Sequence, residues 1–222
     1  MRKPRIPVSG SLTWMPVADE PLHHLLFSDA RMRVYEAIIA PGEQTAFHRH
    51  DRHTLYAVIA GGKSSTEAFT GAIVGAYRFP RTTRLSRLLT WAFTQAVFGW
   101  TDMPDGEWFI MPACGRPITH RVRASAANRA ALRMLGVELV PHALAERQRP
   151  ARPSHHRRPD YEDEWVRVWE LPCSRISRAA HSGVIVMTAG VGAGEYHHFD
   201  AGAALTVAEP DGVYRAIAIE MK

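Results

Sequence analysis

Two histidines separated by one residue, His48 and His50, sit in the stretch 41–62, PGEQTAFHRHDRHTLYAVIAGG. Side chains alternate on a β-strand, so His48, His50, Arg52, Thr54 and Tyr56 share one face while Phe47, Arg49, Asp51 and His53 share the other. Neutral imidazole is the commonest ligand for zinc, copper, iron and nickel, and a His-x-His pair delivers two such ligands one pleat apart. Downstream, Ile118, His120 and Val122 alternate with Thr119, Arg121 and Arg123, which puts His120 on an apolar face. Taken singly, an H-x-H pair serves equally as two solvated surface histidines, and a lone histidine on an apolar face is more often a hydrogen-bonded core residue.

The frame around these histidines narrows the choice. Gly42, His48, His50, Thr54 and Gly61, with five, one, three and six residues between them, resemble the first motif of the cupin superfamily, G-x5-H-x-H-x3-4-E-x6-G, with Thr54 in place of the glutamate. Gly106, Pro112 and His120 resemble the second motif, G-x5-P-x-G-x2-H-x3-N, with the inner glycine displaced to Gly115 and Ala124 at the asparagine position. The resemblance implies an all-β double-stranded β-helix, the jelly-roll barrel of cupins, holding a divalent metal on His48, His50 and His120. It does not choose the reaction, because that fold hosts dioxygenases, isomerases, decarboxylases, epimerases and binding modules.

Composition excludes several classes. A chain of 222 residues with 46% hydrophobic content has the material for one large or two small domains. The net charge of +5 comes from 27 basic residues, of which only Lys3, Lys63 and Lys222 are lysines, and no basic run is interleaved with stacking aromatics as a nucleic-acid groove requires. Cys114 and Cys173 form no disulfide framework, which fits a reducing, cytoplasmic compartment. No apolar stretch follows the basic N-terminal arm, and the segment 88–100 is too short and too polar to cross a bilayer.

The elements that must position the histidines follow in order. Strands are expected at 31–40, 55–60 as a continuation of the histidine strand, 107–111, 118–123 and 131–140, the last closing the barrel. The span 63–105 reads as an insertion carrying a strand at 72–79 and an apolar helix at 84–98, packed on the barrel or across a dimer interface. Residues 144–163, rich in proline, arginine and charge, read as a linker. Beyond it, 164–222 resembles a worn second cupin half packed on the first, which occupies 1–143; its only survivor at the histidine pair is His181. His23 and His24 lack motif spacing and read as surface or core residues. His197 and His198 are adjacent, point to opposite faces of a strand and read as structural.

Thr54 decides what the resemblance implies for chemistry. A hydroxyl is a weak ligand beside a carboxylate, so three neutral histidines leave the full charge of a divalent ion for an anionic or chelating small-molecule substrate. That shell is similar to those of three-histidine cupin dioxygenases, with iron(II) favoured and zinc, manganese or nickel as alternatives. Thr54, Tyr56, Cys114 and Arg116 are the candidate substrate-binding residues. A zinc hydrolase or isomerase, and a non-catalytic binding cupin, are the competing readings; a homodimer is the expected assembly.

Overall fold

A computed structural model describes residues 13–69, 78, 99–111, 113, 116–140, 159–171, 179, 181–190, 192–203 and 215–222. Several strands, Thr54–Ala60 and Leu132–Leu139 among them, are buried on both faces, and the architecture shows why. The strands are β1 (Met15–Pro16), β2 (His23–Ser28), β3 (Met32–Ile39), β4 (His48–His50), β5 (Thr54–Ala60), β6 (Gly62–Ala68), β7 (Thr101–Met103) and β8 (Trp108–Met111). They continue with β9 (Ile118–Ala124), β10 (Leu132–Leu139), β11 (Tyr161–Glu162), β12 (Val166–Leu171), β13 (Gly183–Ala189), β14 (Tyr196–Phe199) and β15 (Arg215–Met221). They form three five-stranded sheets, ordered β1-β4-β9-β6-β7, β2-β3-β10-β5-β8 and β11-β12-β15-β13-β14.

The second sheet lies in the middle. One of its faces carries Tyr35, Ala37, Ile39, Tyr56, Val58, Met111, Leu132 and Met134, which cluster with Val17 and Ala124 from the first-sheet side to form the barrel interior. Its other face carries Met32, Val34, Leu55, Ala57, Trp108, Ile110, Leu135 and Val137, packed on Val166, Val168, Val184, Val186, Ile217 and Ile219 of the third sheet. Burying a side chain of this size stabilises by about 1.5–3 kcal/mol, so both faces must be apolar and β5, TLYAVIA, is buried almost throughout. Polar ties cross the same boundary: Trp108 Nε1 donates to Glu170 Oε1 at 3.0 Å and Arg31 Nη1 to Ser182 Oγ at 2.6 Å.

The second and third sheets share one register. Glu138 faces Arg33 on one neighbour and Thr54 on the other, and Glu220 likewise faces Arg167 and Gly183. Gly136 lies between Tyr35 and Tyr56, as Ala218 lies between Trp169 and Ile185.

Several expectations change. The histidine strand is not continuous: it stops at His50, and the chain passes from the first sheet to the second before Thr54. Residues 63–68, assigned from sequence to the insertion, belong to the barrel strand β6, which pairs with β7 and β9. His23–Ser28, not expected as a strand, forms the edge of the second sheet beside β3. The end of the expected linker is ordered, since Tyr161 and Glu162 pair with Val168 and Arg167. The expected helix at 84–98, Cys114, Cys173, most of the strand at 72–79 and most of the linker lie outside the described residues.

Candidate metal centre

β4 and β9 run antiparallel with His48 directly opposite His120 and His50 opposite Ile118. A histidine at every second position of β4 and one on the adjoining strand thus converge on a single side of the first sheet. His48, His50 and His120 are 1%, 0% and 3% exposed, and each offers a ring nitrogen within 4.8 Å of the others. Their ring centroids lie 4.9, 4.7 and 5.1 Å apart, and Nε2 of His50 is 3.2 Å from Nε2 of His120.

The electrostatics favour lone pairs over protons. Burial, reinforced by the neighbouring His23, pushes the His48 imidazole down to about 4, and burial together with the adjacent histidines pushes His50 and His120 well below the ordinary imidazole range. His48 Nδ1 is committed to the Ala46 carbonyl at 3.0 Å, which leaves Nε2 as the nitrogen free to ligate. The buried Nδ1 of His50 has no hydrogen-bond partner, a cost that a cluster without a ligand does not recover. Three buried, neutral imidazoles with converging nitrogens are the donor set of a borderline transition metal, so the residues fit a divalent ion.

The second sheet supplies the opposite wall. The alternation of β5 turns Thr54 and Tyr56 inward, and the Tyr56 ring lies 6.0 Å from His50. Tyr56 and Tyr35 share a hydrogen bond of 2.8 Å between their hydroxyls. Burial raises the Tyr35 phenol far above its usual range, against the pull of its hydrogen bonds to Tyr56 and Thr54. Thr54 Oγ1 donates to the Arg52 carbonyl at 3.3 Å. Nearby, the Glu138 carboxylate is only 2% exposed and lies 3.4 Å from Arg33 and 3.7 Å from Arg52; burial raises its pKa despite both guanidinium groups.

Of the residues expected at the site, the structure brings together the three histidines, Tyr56 and, on the same inner face, Thr54. Arg116 is exposed in the bend before β9. His53 is turned away, its ring 5.7 Å from Trp165. His198 packs on Phe27 at 4.2 Å, and His197 is exposed beside Glu195. Of the two histidines read as surface or core residues, His23 is buried with its ring 4.7 Å from His48, a neighbour the sequence did not indicate, and His24 is exposed. Sequence reasoning also passed over Glu20, Tyr35 and Glu138. Glu138 had a signal, a lone carboxylate in the apolar run of β10.

The buried histidines predict an acid-sensitive apo-protein. Their folded pKa values lie below the unfolded value near 6.5, so the unfolded chain takes up protons first and stability falls as the pH drops through 6.5 towards 4. At pH 5 His48 alone costs about 2 kcal/mol, and His50 and His120 act in the same direction. Glu138, with its raised pKa, opposes them at lower pH. Urea unfolding in chelator should show a lower midpoint at pH 5.0 than at pH 7.5; equal midpoints would mean that the cluster is open to water.

No family model matches the sequence, and no curated protein matches it. Among solved structures, the chain is similar to a cupin domain from Bordetella pertussis at 15% identity, covering 53% of this chain and 90% of that one with a TM-score of 0.36. It is also similar to a cupin-like protein from Thermotoga maritima at 15% identity, 54% and 68% coverage and TM-score 0.34. A third similarity is to an RmlC-like cupin from Desulfovibrio desulfuricans at 11% identity, 63% and 97% coverage and TM-score 0.33. Two facing sheets whose strands alternate along the chain, with the two motif strands β4 and β9 side by side, give this protein a double-stranded β-helix.

Proposed function

We propose that this protein is a metal-dependent cupin enzyme, a non-haem iron dioxygenase-type oxidoreductase acting on a small anionic or chelating substrate. The observation that carries the reading is a neutral ligand set: His48, His50 and His120 converge, and the position where a carboxylate would join them holds Thr54, whose hydroxyl is spent on the Arg52 carbonyl. His48, His50 and His120 would hold iron(II), which would supply Lewis-acid and redox chemistry for a chelating substrate and dioxygen. The chain's own part is to orient and to exclude water. Tyr35 and Tyr56, both buried and hydrogen-bonded to each other, present a pair of hydroxyls that can hold a substrate oxygen, with the Tyr56 ring 6.0 Å from His50. Arg33 and Arg52 surround the buried Glu138 carboxylate and provide positive charge near that wall.

The third sheet fits the same reading as a second copy that has lost the chemistry. At the register positions of Thr54, Tyr56 and Tyr35 it carries Gly183, Ile185 and Trp169. We assign residues 164–222 to this second half and the chemistry to 1–143. Elemental analysis after anaerobic preparation, followed by oxygen uptake with thiols, diketones and catechols, tests the proposal. Iron with substrate-dependent uptake supports it; zinc with hydrolysis, or a protein without metal, would replace it with one of the other readings.

Thr54→Glu separates metal binding from function. An added carboxylate supplies an anionic ligand and lowers the charge of the site by one, so the variant should bind iron at least as tightly as the parent while binding an anionic substrate more weakly. Titration of both variants with metal and then with substrate checks this. Parallel loss of both affinities would show that position 54 only packs beneath the site.

A further inference from the structure

Glu20 lies 28 residues before His48, in a segment with no motif, yet its carboxylate is 2% exposed and held by three donors. Oε2 accepts from the Leu22 N–H at 2.9 Å and lies 2.6 Å from His23 Nδ1, while Oε1 accepts from the Ala46 N–H at 3.0 Å. A carboxylate buried this deeply is tolerated only when its lone pairs are met, and here the partners come from two separate segments. Both segments lead to His48. Ala46, whose N–H Glu20 holds, is also the residue whose carbonyl receives His48 Nδ1 at 3.0 Å. His23, whose Nδ1 Glu20 holds, places its ring between Tyr35 and His48, at 5.3 and 4.7 Å.

We propose that Glu20 and His23 form a positioning dyad: Glu20 fixes the Ala46 backbone and the His23 ring together, and these set the tautomer and orientation of His48 so that its Nε2 meets the nitrogens of His50 and His120. The inference rests on the metal reading above. A carboxylate outside the ligand set orders a ligand histidine without adding charge to the ligand shell, which a glutamate at position 54 would add. His48 accordingly depends on the Glu20 segment as well as on its own strand.

Two measurements on the full chain distinguish this inference from the metal reading. In the metal-free protein at pH 8, long-range proton–nitrogen NMR should show His48 as a single Nδ1–H tautomer, and Glu20→Ala should show a mixture of both tautomers. Titration of apo-protein with iron(II) under anaerobic conditions, by competition against a chromophoric chelator, should show affinity about 10- to 100-fold weaker in Glu20→Ala. Glu20→Gln, which keeps an acceptor for Ala46, should lie between it and the parent. His23→Phe, which keeps a ring against His48, should weaken binding less than Glu20→Ala. Should Glu20→Ala fail to fold, Glu20→Gln and His23→Phe carry the same two readouts. A single His48 tautomer and parental affinity in the folded variants, with only a lower unfolding midpoint, would overturn the dyad as a positioning device. Absence of metal binding in the parent would overturn the metal reading, while the tautomer readout would still decide what Glu20 does.

Discussion

His120→Ala should strip the protein of most of its bound metal. The three buried histidines offer nitrogens within 4.8 Å of one another, and His120 is the one supplied by a different strand, β9. Removing it leaves two neutral donors on β4 and a cavity in a buried site, so metal affinity should fall by more than about 100-fold, beyond the usual loss from removing an outer partner. His48→Ala and His50→Ala should do the same. His197→Ala, at an exposed histidine beside Glu195, and His181→Ala, in the bend before β13 near Glu220, should leave metal content near that of the parent. Metal content after dialysis against buffer of defined iron provides the measurement. Full retention in folded His120→Ala would remove the histidine cluster as the metal site.

Gly61→Ala should be among the most damaging single substitutions in the chain. A Cβ at position 61 would stand 1.7 Å from the Met103 carbonyl oxygen and 2.8 Å from its carbon, so the obstacle is backbone that cannot rotate aside. The Gly61 N–H is also tied to Asp105 at 2.6 Å, and the next residue starts β6 against β7. Relief requires separating the segment from Met103, at a cost of about 3 kcal/mol or more. Gly42→Ala strains the chain differently: its φ of 83° disfavours any side chain, but the nearest atom to a Cβ would be Ala126 Cβ at 3.6 Å. The expected ranking by urea unfolding is therefore parent, Gly42→Ala and then Gly61→Ala, the last with a strongly reduced midpoint or no folded protein. Equal stability of Gly61→Ala and parent would show that the turn between β5 and β6 is looser than this packing.

The third sheet bears on assembly. The apolar outer face of the second sheet, with Val34, Leu55, Ala57 and Val137, is already covered within the chain by Val168, Val184, Val186 and Ile219. That face is therefore not available to a second subunit, and a homodimer, if formed, must use another surface. The mass of the protein in solution, measured by light scattering, decides between one chain and two.

The sequence by itself determined the histidine triad and the fold around it. Alternation on ITHRV placed His120 on the same kind of inner face as His48 and His50, because a period of two survives whatever the strand packs against. Gly42 was legible for a related reason, since a positive φ in a turn is a local demand that glycine meets, whereas the demand for glycine at position 61 comes from the Met103 backbone on another strand. Thr54 and Tyr56 were placed on the inner face by counting along one strand, although the chain changes sheets before Thr54 and the second sheet faces the first. Tertiary structure alone decided the rest. Glu20 and His23 reach His48 because Met15–Pro16 runs parallel to β4 and carries the following turn to the barrel interior, a pairing between positions more than thirty residues apart that no local pattern encodes. Tyr35 joins Tyr56 across Gly136 of β10, where a Cβ would stand 2.5 Å from the tyrosine ring, so the meeting of the two hydroxyls depends on three strands from distant parts of the chain.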